Sequence, residues 1–351
     1  MAGGPTKPES PVPAEVLAAW GLGDATVRPV EVGLINRTYE VESGGTRLVL
    51  QQLHTLFAAE VNLDIEAITA HVEARGVKTP RPVSTREGTL WLEHEGRVWR
   101  ALTHVDGVVL PRVEAPQQAG SAGGLVARFH VAVADLHHDF HFTRPGAHDT
   151  ARHLRHLEDT LLAHDGHPRF AEIRPVAERI LVHGASVPGT TALPARIIHG
   201  DLKITNVIFA HDRTTALALI DLDTLARGTI AEELGDALRS WCNPAGEDDA
   251  QAEVSVPIFE AAVGGYASAA GGLLTEDEVA SLVGGTERIA LELASRFCAD
   301  ALEESYFGWD PSRHGSRSEH NLVRARSQLA LSESVRARRA ELGRIVRAAF
   351  G

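Results

Sequence analysis

The sequence predicts an α+β protein with two lobes, a small antiparallel sheet followed by a mainly helical lobe. Short β-rich runs separated by glycine turns lie between residues 27 and 103, and helical periodicity recurs from residue 120 onward. A polar loop near residue 200 lies between two short apolar runs. We expect a disordered segment over residues 1–12, an N-terminal lobe over residues 13–106 and a C-terminal lobe over residues 107–351.

The N-terminal elements follow from alternating apolar residues and from glycine turns. After a short helix over residues 13–20, strands are expected over residues 27–32, 38–42, 47–52, 89–93 and 97–103. Apolar residues at helical spacing predict a helix over residues 60–75 that carries Glu66 and ends at Gly76. In the turn at Gly33 the missing Cβ would let a ligand approach the backbone closely. Residues 104–107 form the predicted hinge.

The C-terminal lobe is expected to be helical around two hairpin strands. Helices are predicted over residues 120–136, 148–162 and 174–182. The tail over residues 276–350 is almost continuously helical, with interruptions predicted at Gly284-Gly285 and at residues 308–311. Apolar runs at residues 197–198, 207–209 and 216–220 predict short buried strands around the polar loop.

The composition is that of an ordinary globular protein and excludes several classes. Of 351 residues, 44% are hydrophobic, which is enough for a sizeable core. A formal net charge of −13 argues against nonspecific binding to nucleic acid or to an anionic membrane. The cysteines Cys242 and Cys298 suit neither a disulfide framework nor a zinc site, and no apolar run reaches the ~18 residues of a membrane span. We expect a cytoplasmic protein.

The loop over residues 199–206 carries the groups that phosphoryl transfer requires. Asp201 and Asn206 have the spacing of the base and the metal-binding Asn in protein-kinase catalytic loops, and Lys203 occupies the position of the phosphate-facing lysine. The Asp201 carboxylate can accept a hydroxyl proton. Asn206 and Asp221, which ends the following apolar run, offer the hard oxygen ligands that Mg²⁺ prefers. The pattern predicts a phosphotransferase centre.

Four histidines cluster in the sequence at the end of the first long helix of this lobe and just after it. His130, His137, His138 and His141 lie on or just past that helix and could suggest metal binding. No carboxylate or cysteine pattern completes a site with them in the sequence, so we do not expect a metal there.

Several motifs together resemble the aminoglycoside phosphotransferase and choline kinase superfamily, whose fold is protein-kinase-like. The match looks closer to its N-acetylhexosamine 1-kinase branch, over nearly the whole chain. The motifs that carry the resemblance are residues 33–39, 50–53, 199–206, 220–224, 235–236, 295–297, 306–307 and 320–326, with Trp99-Arg100. Their order along the chain is more specific than any one of them.

The resemblance implies ATP- and Mg²⁺-dependent phosphorylation of the anomeric hydroxyl of an N-acetylhexosamine. The small N-terminal lobe would bind the nucleotide, through the residues Gly33, Asn36, Gln51, Glu66, Thr103 and Val105. The large lobe would supply catalysis and bind the sugar. Its acceptor contacts would be Asp201, Asp223, Thr224, Arg296 and Tyr306, the last two on C-terminal helices.

Two positions depart from the family pattern. Gln51 stands where the superfamily has a strand lysine that pairs with a helix glutamate, here Glu66, and with the nucleotide phosphates. Glutamine cannot supply that charge, so another cation or the metal must. Leu34 stands where the sugar-kinase branch often has a histidine, so we expect the contacts of this loop with nucleotide or sugar to differ from those of that branch.

Two other functions remain open. The chain could phosphorylate an aminoglycoside, homoserine or another small alcohol, and a cationic acceptor would favour carboxylates such as Asp300, Glu303 and Glu304. Gln51 also raises the hypothesis of a non-catalytic nucleotide-binding pseudokinase. Intact Asp201 argues against it, because a binding module needs no positioned base.

Overall fold

The computed structural model describes residues 11–30, 36–187 and 192–351. These residues form two compact units. Unit 1 contains the described residues up to Asp106 and also His137–Phe142, while unit 2 contains Gly107–Leu136 and the described residues from Thr143 onward.

Unit 1 is an antiparallel sheet with two helices. The strands pair in the order β1-β2-β3-β6-β4, and β5 pairs with β6. Its elements are α1 (Ala14–Ala19), β1 (Thr26–Val30), β2 (Arg37–Ser43), β3 (Thr46–Gln52), α2 (Val61–Glu73), β4 (Pro82–Val83), β5 (Leu92–His94) and β6 (Arg97–Thr103). Alternate residues of β2 and β3 point into a core with α1, in which Val41, Leu50 and Trp99 are buried.

Unit 2 is mainly helical, with short strand pairs that carry the polar loop. Strands β7 (Val108–Val109), β9 (Val207–Phe209) and β10 (Ala216–Leu219) form one sheet, and β8 (Arg196–Ile198) pairs with β11 (Ala226–Gly228). The helices are α3 (Pro116–Val133), α4 (Thr150–Ala163), α5 (Phe170–Gly184), α6 (Ile230–Trp241), α7 (Val256–Ala270), α8 (Glu276–Glu303), α9 (Arg317–Ala337) and α10 (Arg339–Phe350). The predicted α+β class, with a sheet before a helical part, is confirmed.

The predicted interruption at Gly284-Gly285 is wrong, because α8 runs through both residues. A Cβ on Gly285 would lie 2.2 Å from the backbone oxygen of Ala231, and one on Gly235 would lie 2.7 Å from the backbone oxygen of Gly285. These glycines therefore let α6 and α8 pack backbone to backbone rather than ending a helix. None of the helices in the described residues is long and apolar enough to cross a membrane.

Candidate active site

The polar loop is held between two strands of unit 2. It leaves β8 at Ile198 and enters β9 through a 3₁₀ turn at Ile204–Asn206. The hairpin of β9 and β10 then brings the chain back, and the Ile220 N–H donates to the Asn206 carbonyl at 2.9 Å. This return places Asp221 beside the loop, as the apolar run before it predicts.

Asp201 lies at the centre of the loop with one oxygen already bonded. Its Oδ2 accepts from Lys203 Nζ at 2.7 Å and from Asn206 Nδ2 at 3.0 Å. Burial opposes ionisation, but the Lys203 ammonium outweighs it and holds the pKa of the Asp201 carboxyl below its usual value. Asp201 is therefore ionised at neutral pH, as a proton acceptor must be.

Asp221 occupies the left-handed backbone region, with φ of 63°, which is uncommon for a residue other than glycine. Burial and the neighbouring Asp223 raise the pKa of Asp221 to about 6, although Lys203 Nζ, 3.9 Å away, acts in the opposite direction. At Asp221, burial and the neighbouring carboxylates thus outweigh the Lys203 ammonium. Because Asn206 uses its amide nitrogen towards Asp201, its oxygen is the atom left for a metal. An amide oxygen and an electron-rich carboxylate fit Mg²⁺.

A buried carboxylate that sequence reasoning missed supports the loop from α6. Glu233 accepts from the His199 N–H at 2.8 Å, from the Gly200 N–H at 2.9 Å and from His130 Nε2 at 3.0 Å. His130 Nδ1 in turn lies 2.9 Å from the Tyr266 hydroxyl. The only signal for Glu233 was its place in an amphipathic helix, because its partners lie 33 to 103 residues away.

Glu233→Gln is expected to lower the free energy of unfolding by about 3 kcal/mol, because a neutral amide cannot accept all three N–H groups. It should also lower kcat, since the loop loses its support. Urea unfolding and steady-state kinetics measure both effects, with Glu260→Gln on the exposed face of α7 as the matched control. Equal stability of the two variants would contradict this role.

Asp223 and Thr224 lie in the turn after Asp221, where the sequence predicts acceptor contacts. Asp223 is buried, and the Thr224 hydroxyl donates to the His199 carbonyl at 2.8 Å. A Cβ on Gly200 would lie 2.5 Å from the Thr224 carbonyl oxygen, so the two segments touch through the glycine. Thr224 therefore supports the loop, and its acceptor role remains a prediction.

Asp236, one turn beyond Glu233 on α6, has one oxygen engaged and one unpartnered. Its Oδ1 accepts from Arg239 at 2.7 and 3.0 Å, whereas its buried Oδ2 has no hydrogen-bond partner among the described residues. Asp236 also contributes to raising the pKa values of Lys203 and of His148 on the approach to α4. A buried carboxylate oxygen without a partner is costly, which favours a ligand at this position.

Arg296 and Tyr306, which the sequence predicts as acceptor contacts, lie close together, and that role remains a prediction. The Arg296 guanidinium lies over the Tyr306 and Phe307 rings, with centroid distances of 5.8 and 5.5 Å. Tyr306 lies in the loop after α8 and not on a helix, which corrects the prediction. Asp300 holds this loop, since its carboxylate accepts the N–H groups of residues 305–307 at 2.7 to 2.9 Å.

The acidic residues considered for a cationic acceptor are engaged elsewhere. Glu303 Oε1 accepts from the Thr160 hydroxyl at 3.1 Å, and Glu304 Oε2 accepts from the Ser318 N–H at 3.2 Å. With Asp300 bonded to its own loop, this stretch stabilises the ends of α4, α8 and α9.

His148 and Glu292 form a largely buried pair. His148 Nδ1 lies 3.2 Å from Glu292 Oε1, and the Thr150 hydroxyl donates to Oε2 at 2.9 Å. Burial disfavours the imidazolium, but Glu292, Asp236 and Glu232 raise the pKa of His148 to about 9.

The His148 imidazolium is therefore expected to make the free energy of unfolding depend on pH. Because the folded pKa lies above the ordinary value of 6.5, the stabilisation is fully present below pH 6.5 and is lost as the pH rises through about 9. His148→Gln should remove up to about 3 kcal/mol at pH 6 and much less at pH 10. Urea unfolding at both pH values measures this difference. The exposed His137→Gln control should keep the wild-type pH dependence, and a His148→Gln variant that keeps it too would contradict the pair.

In unit 1 an arginine stands opposite the residue that replaces the family lysine. Gln51 and Arg100 are directly paired across β3 and β6, and Gln51 Oε1 accepts from Arg100 Nη2 at 2.7 Å and from Nε at 2.9 Å. Asn62 Oδ1 on α2 accepts from Arg100 Nη1 at 3.3 Å. Glu66 instead pairs with Arg81 at 2.6 Å, and its Oε2 is buried with no partner among the described residues. Gln51 and Glu66, at the positions that the resemblance assigns to a lysine–glutamate pair, thus each contact an arginine.

The other residues predicted to bind the nucleotide either make contacts within unit 1 or lie outside the described residues. Gly33 and Leu34 lie outside the described residues. The Asn36 side-chain oxygen accepts from the His54 N–H at 2.9 Å, which links the start of β2 to the chain after β3. The Thr103 N–H donates to the Arg81 carbonyl at 2.8 Å, so it is used inside the sheet, and Val105 lies buried after β6. Adenine contacts at these residues remain a prediction.

The sequence matches the phosphotransferase enzyme family over residues 26–271. The homoserine kinase of Azorhizobium caulinodans is 28% identical over 240 residues, which cover 65% of this chain and 68% of the relative. Seven further relatives, 25–31% identical, carry the same name. The predicted superfamily is confirmed, whereas the N-acetylhexosamine branch is not among these names.

Solved structures support the same fold. A microcompartment-associated aminopropanol kinase superposes with a TM-score of 0.64 at 18% identity, covering 94% of this chain and 97% of that one. An amicoumacin kinase in complex with AMP-PNP, Ca²⁺ and its substrate gives a TM-score of 0.58 at 14% identity, covering 87% of each chain. The protein-kinase-like fold is thereby confirmed, and the nucleotide and divalent cation of that neighbour agree with the ATP and Mg²⁺ predicted here.

Proposed function

This chain belongs to the phosphotransferase enzyme family, and from that premise we propose that it transfers the γ-phosphoryl group of ATP to the hydroxyl of a small amino alcohol. Homoserine is the first acceptor to test. The observation that carries the proposal is the buried Oδ2 of Asp236, which has no hydrogen-bond partner among the described residues. Asp236 belongs to the same unit as Asp201, and its charge helps to raise the pKa of Lys203, the lysine that pairs with Asp201. An ammonium group would satisfy that oxygen and leave a nearby hydroxyl for transfer.

The names of similar proteins support an amino acceptor. Homoserine and aminopropanol each carry an amine and a hydroxyl, and the printed names of the relatives and of a structural neighbour refer to these compounds. Homoserine adds a carboxylate, for which Arg288 on α8 is the candidate partner. Burial lowers the pKa of Arg288, while Glu232 and Glu292 act in the opposite direction, so this cation lies in the same acidic region.

Asp201 acts as the general base in this proposal. Its carboxylate accepts the hydroxyl proton, the hydroxyl oxygen forms a bond to the γ-phosphorus, and the bond from that phosphorus to ADP breaks. A carboxylate with a lowered pKa is a weak base, which suits a loose transition state in which the proton moves late. Lys203 and Asn206 hold one oxygen of Asp201, which orients the other towards the acceptor.

Each unit, taken by itself, contains cations that we assign to the phosphates of a bound nucleotide. Asn206 and Asp221 would hold Mg²⁺, which when bound neutralises phosphate oxygens. Lys203 adds a charge beside Asp201. In unit 1 we assign the role of the missing lysine to Arg100, whose guanidinium is fixed by Gln51 and Asn62. A guanidinium offers several N–H donors in a fixed planar geometry that matches phosphate oxygens.

Asp236→Asn is expected to raise KM for the amino acceptor by about 10- to 100-fold, because a charge-assisted hydrogen bond becomes a neutral one. KM for ATP should stay within about twofold. Initial rates at varied acceptor concentration measure this, with Asp249→Asn at an exposed position as the control. An unchanged acceptor KM would remove Asp236 from the acceptor site.

A panel of acceptors tests the function itself. Homoserine, 3-aminopropanol, an aminoglycoside, N-acetylglucosamine and N-acetylgalactosamine are each incubated with ATP and Mg²⁺, and ADP release is recorded. We expect the largest kcat/KM with an amino alcohol. A larger value with an N-acetylhexosamine would restore the sugar 1-kinase prediction, and no ADP release with any hydroxyl compound would favour the pseudokinase.

A further inference from the structure

Three potential metal ligands meet in unit 1, and none of them belongs to the Asp201 centre. Asp64 lies on α2, and His138 and His141 lie in the segment His137–Phe142 that follows α3 in the sequence. Asp64 Oδ1 is 2.8 Å from His138 Nε2 and 3.0 Å from His141 Nδ1, and all three atoms lie within 4.8 Å of one another. The carboxylate absent from the local sequence pattern thus comes from 74 residues upstream.

The Asp64 carboxylate is held in place by the backbone it faces. Its Oδ1 accepts from the His141 N–H at 2.9 Å, its Oδ2 accepts from the Phe142 N–H at 3.0 Å, and the side chain is 1% exposed. The Phe142 ring packs against Phe57 at a centroid distance of 5.9 Å. Two backbone N–H groups and two imidazole nitrogens of this segment therefore fix the position of the carboxylate.

The hydrogen bonding at Asp64 Oδ1 is crowded. A carboxylate oxygen has two lone pairs, yet three nitrogens lie within 3.0 Å of this atom, two from imidazole rings and one from the backbone. A tetrahedral metal ion at about 2.0–2.2 Å from each ligand places neighbouring ligand atoms about 3.3–3.6 Å apart. The two separations from Asp64 Oδ1 are 2.8 and 3.0 Å, so the rings would move apart slightly to admit an ion. An ion would use both ring lone pairs and would need no ring protons.

We propose that Asp64, His138 and His141 bind a divalent transition-metal ion, with Zn²⁺ as the probe of choice. Two imidazoles with one carboxylate suit Zn²⁺, Co²⁺ or Ni²⁺ better than Mg²⁺, which prefers oxygen ligands. The His141 side chain is 48% exposed, so water can complete the coordination sphere on that side. The ion would fasten segment 137–142 to α2. The site shares no residue with the Asp201 centre and does not depend on the proposed function.

Zinc titration of the whole chain tests the site. Isothermal titration calorimetry in excess Mg²⁺, which saturates oxygen-rich sites, measures the number of Zn²⁺ equivalents bound by wild type, His138→Gln, His141→Gln and His137→Gln. We expect each of the first two variants to lose one equivalent. His137 is exposed and lies in the same segment, so His137→Gln should bind as wild type does.

A second measurement separates binding from folding. Zn²⁺ should raise the Tm of wild type and of His137→Gln and leave that of His141→Gln unchanged, because only a bound ion stabilises the folded state. His141 is largely exposed, so its substitution should preserve the fold. If His141→Gln binds as many Zn²⁺ equivalents as wild type, with the same affinity, the cluster is a hydrogen-bonded clasp and the metal site is excluded.

Discussion

Asp201→Ala is expected to lower kcat by about 10²- to 10⁴-fold, the usual range for loss of a positioned general base. Its affinity for Mg²⁺-ATP should change little, because Asp201 is assigned to the acceptor hydroxyl and not to the nucleotide. Removing the carboxylate also frees Lys203 from the negative charge that it faces at 2.7 Å, which gives no reason for nucleotide affinity to fall. Steady-state rates with the best acceptor and calorimetric titration of the nucleotide separate the two effects.

The matched control is Asp159→Ala, which removes an exposed aspartate from α4. It should keep wild-type kcat and nucleotide affinity. Turnover of Asp201→Ala equal to that of this control on the physiological acceptor would exclude Asp201 as the base.

Asp221→Ala is expected to affect the metal as well as the rate. Loss of an outer partner of a metal ligand costs about 10- to 100-fold in metal affinity, and loss of a ligand should cost at least as much. The Mg²⁺ concentration for half-maximal activity should therefore rise at least roughly tenfold, together with the Kd for Mg²⁺-nucleotide. Removal of Asp221 also removes one of two carboxylates near Lys203 Nζ.

Titration of activity with Mg²⁺ distinguishes Asp221 from Asp201. Asp201→Ala should keep the wild-type Mg²⁺ dependence at a reduced maximal rate, whereas Asp221→Ala should shift the curve. An unshifted curve for Asp221→Ala would remove this residue from the metal site.

Much of the fold follows from local patterns in the sequence. Alternating residues and glycine turns predict the sheet of unit 1, and α6 and α8 begin at capping boxes formed by Thr229 with Glu232 and by Thr275 with Glu278. The error at Gly285 has a physical origin. Glycine both ends helices and allows close backbone approach, and only the tertiary partner, here Ala231, decides between them.

The grouping of the candidate reacting residues was predictable because they lie on one short loop and the strand that returns to it. Asp201, Asn206 and Asp221 form a local pattern whose spacing reflects its chemistry. Glu233 and Arg100 were not assigned roles, because each acts through partners distant in sequence. The Asp64 cluster shows the same limit, since its aspartate lies 74 residues before the first histidine.

The sequence motifs and the named relatives indicate different acceptors. The motifs around Asp223 and Arg296 resemble sugar 1-kinases, whereas the named relatives are homoserine kinases. Asp236, with its unpartnered Oδ2, favours an acceptor that donates a hydrogen bond there, and because Arg239 already pairs with the carboxylate, the choice of an amine over a sugar hydroxyl rests on the names of the relatives.

Phosphorus NMR of the reaction with homoserine tests the central claim most directly. Wild type, ATP, Mg²⁺ and homoserine should give ADP and one new phosphomonoester signal in equal amounts, and Asp201→Ala should give neither under the same conditions. A new signal of equal size from Asp201→Ala, or ADP formed only with inorganic phosphate, would contradict phosphoryl transfer to an amino-alcohol hydroxyl at Asp201.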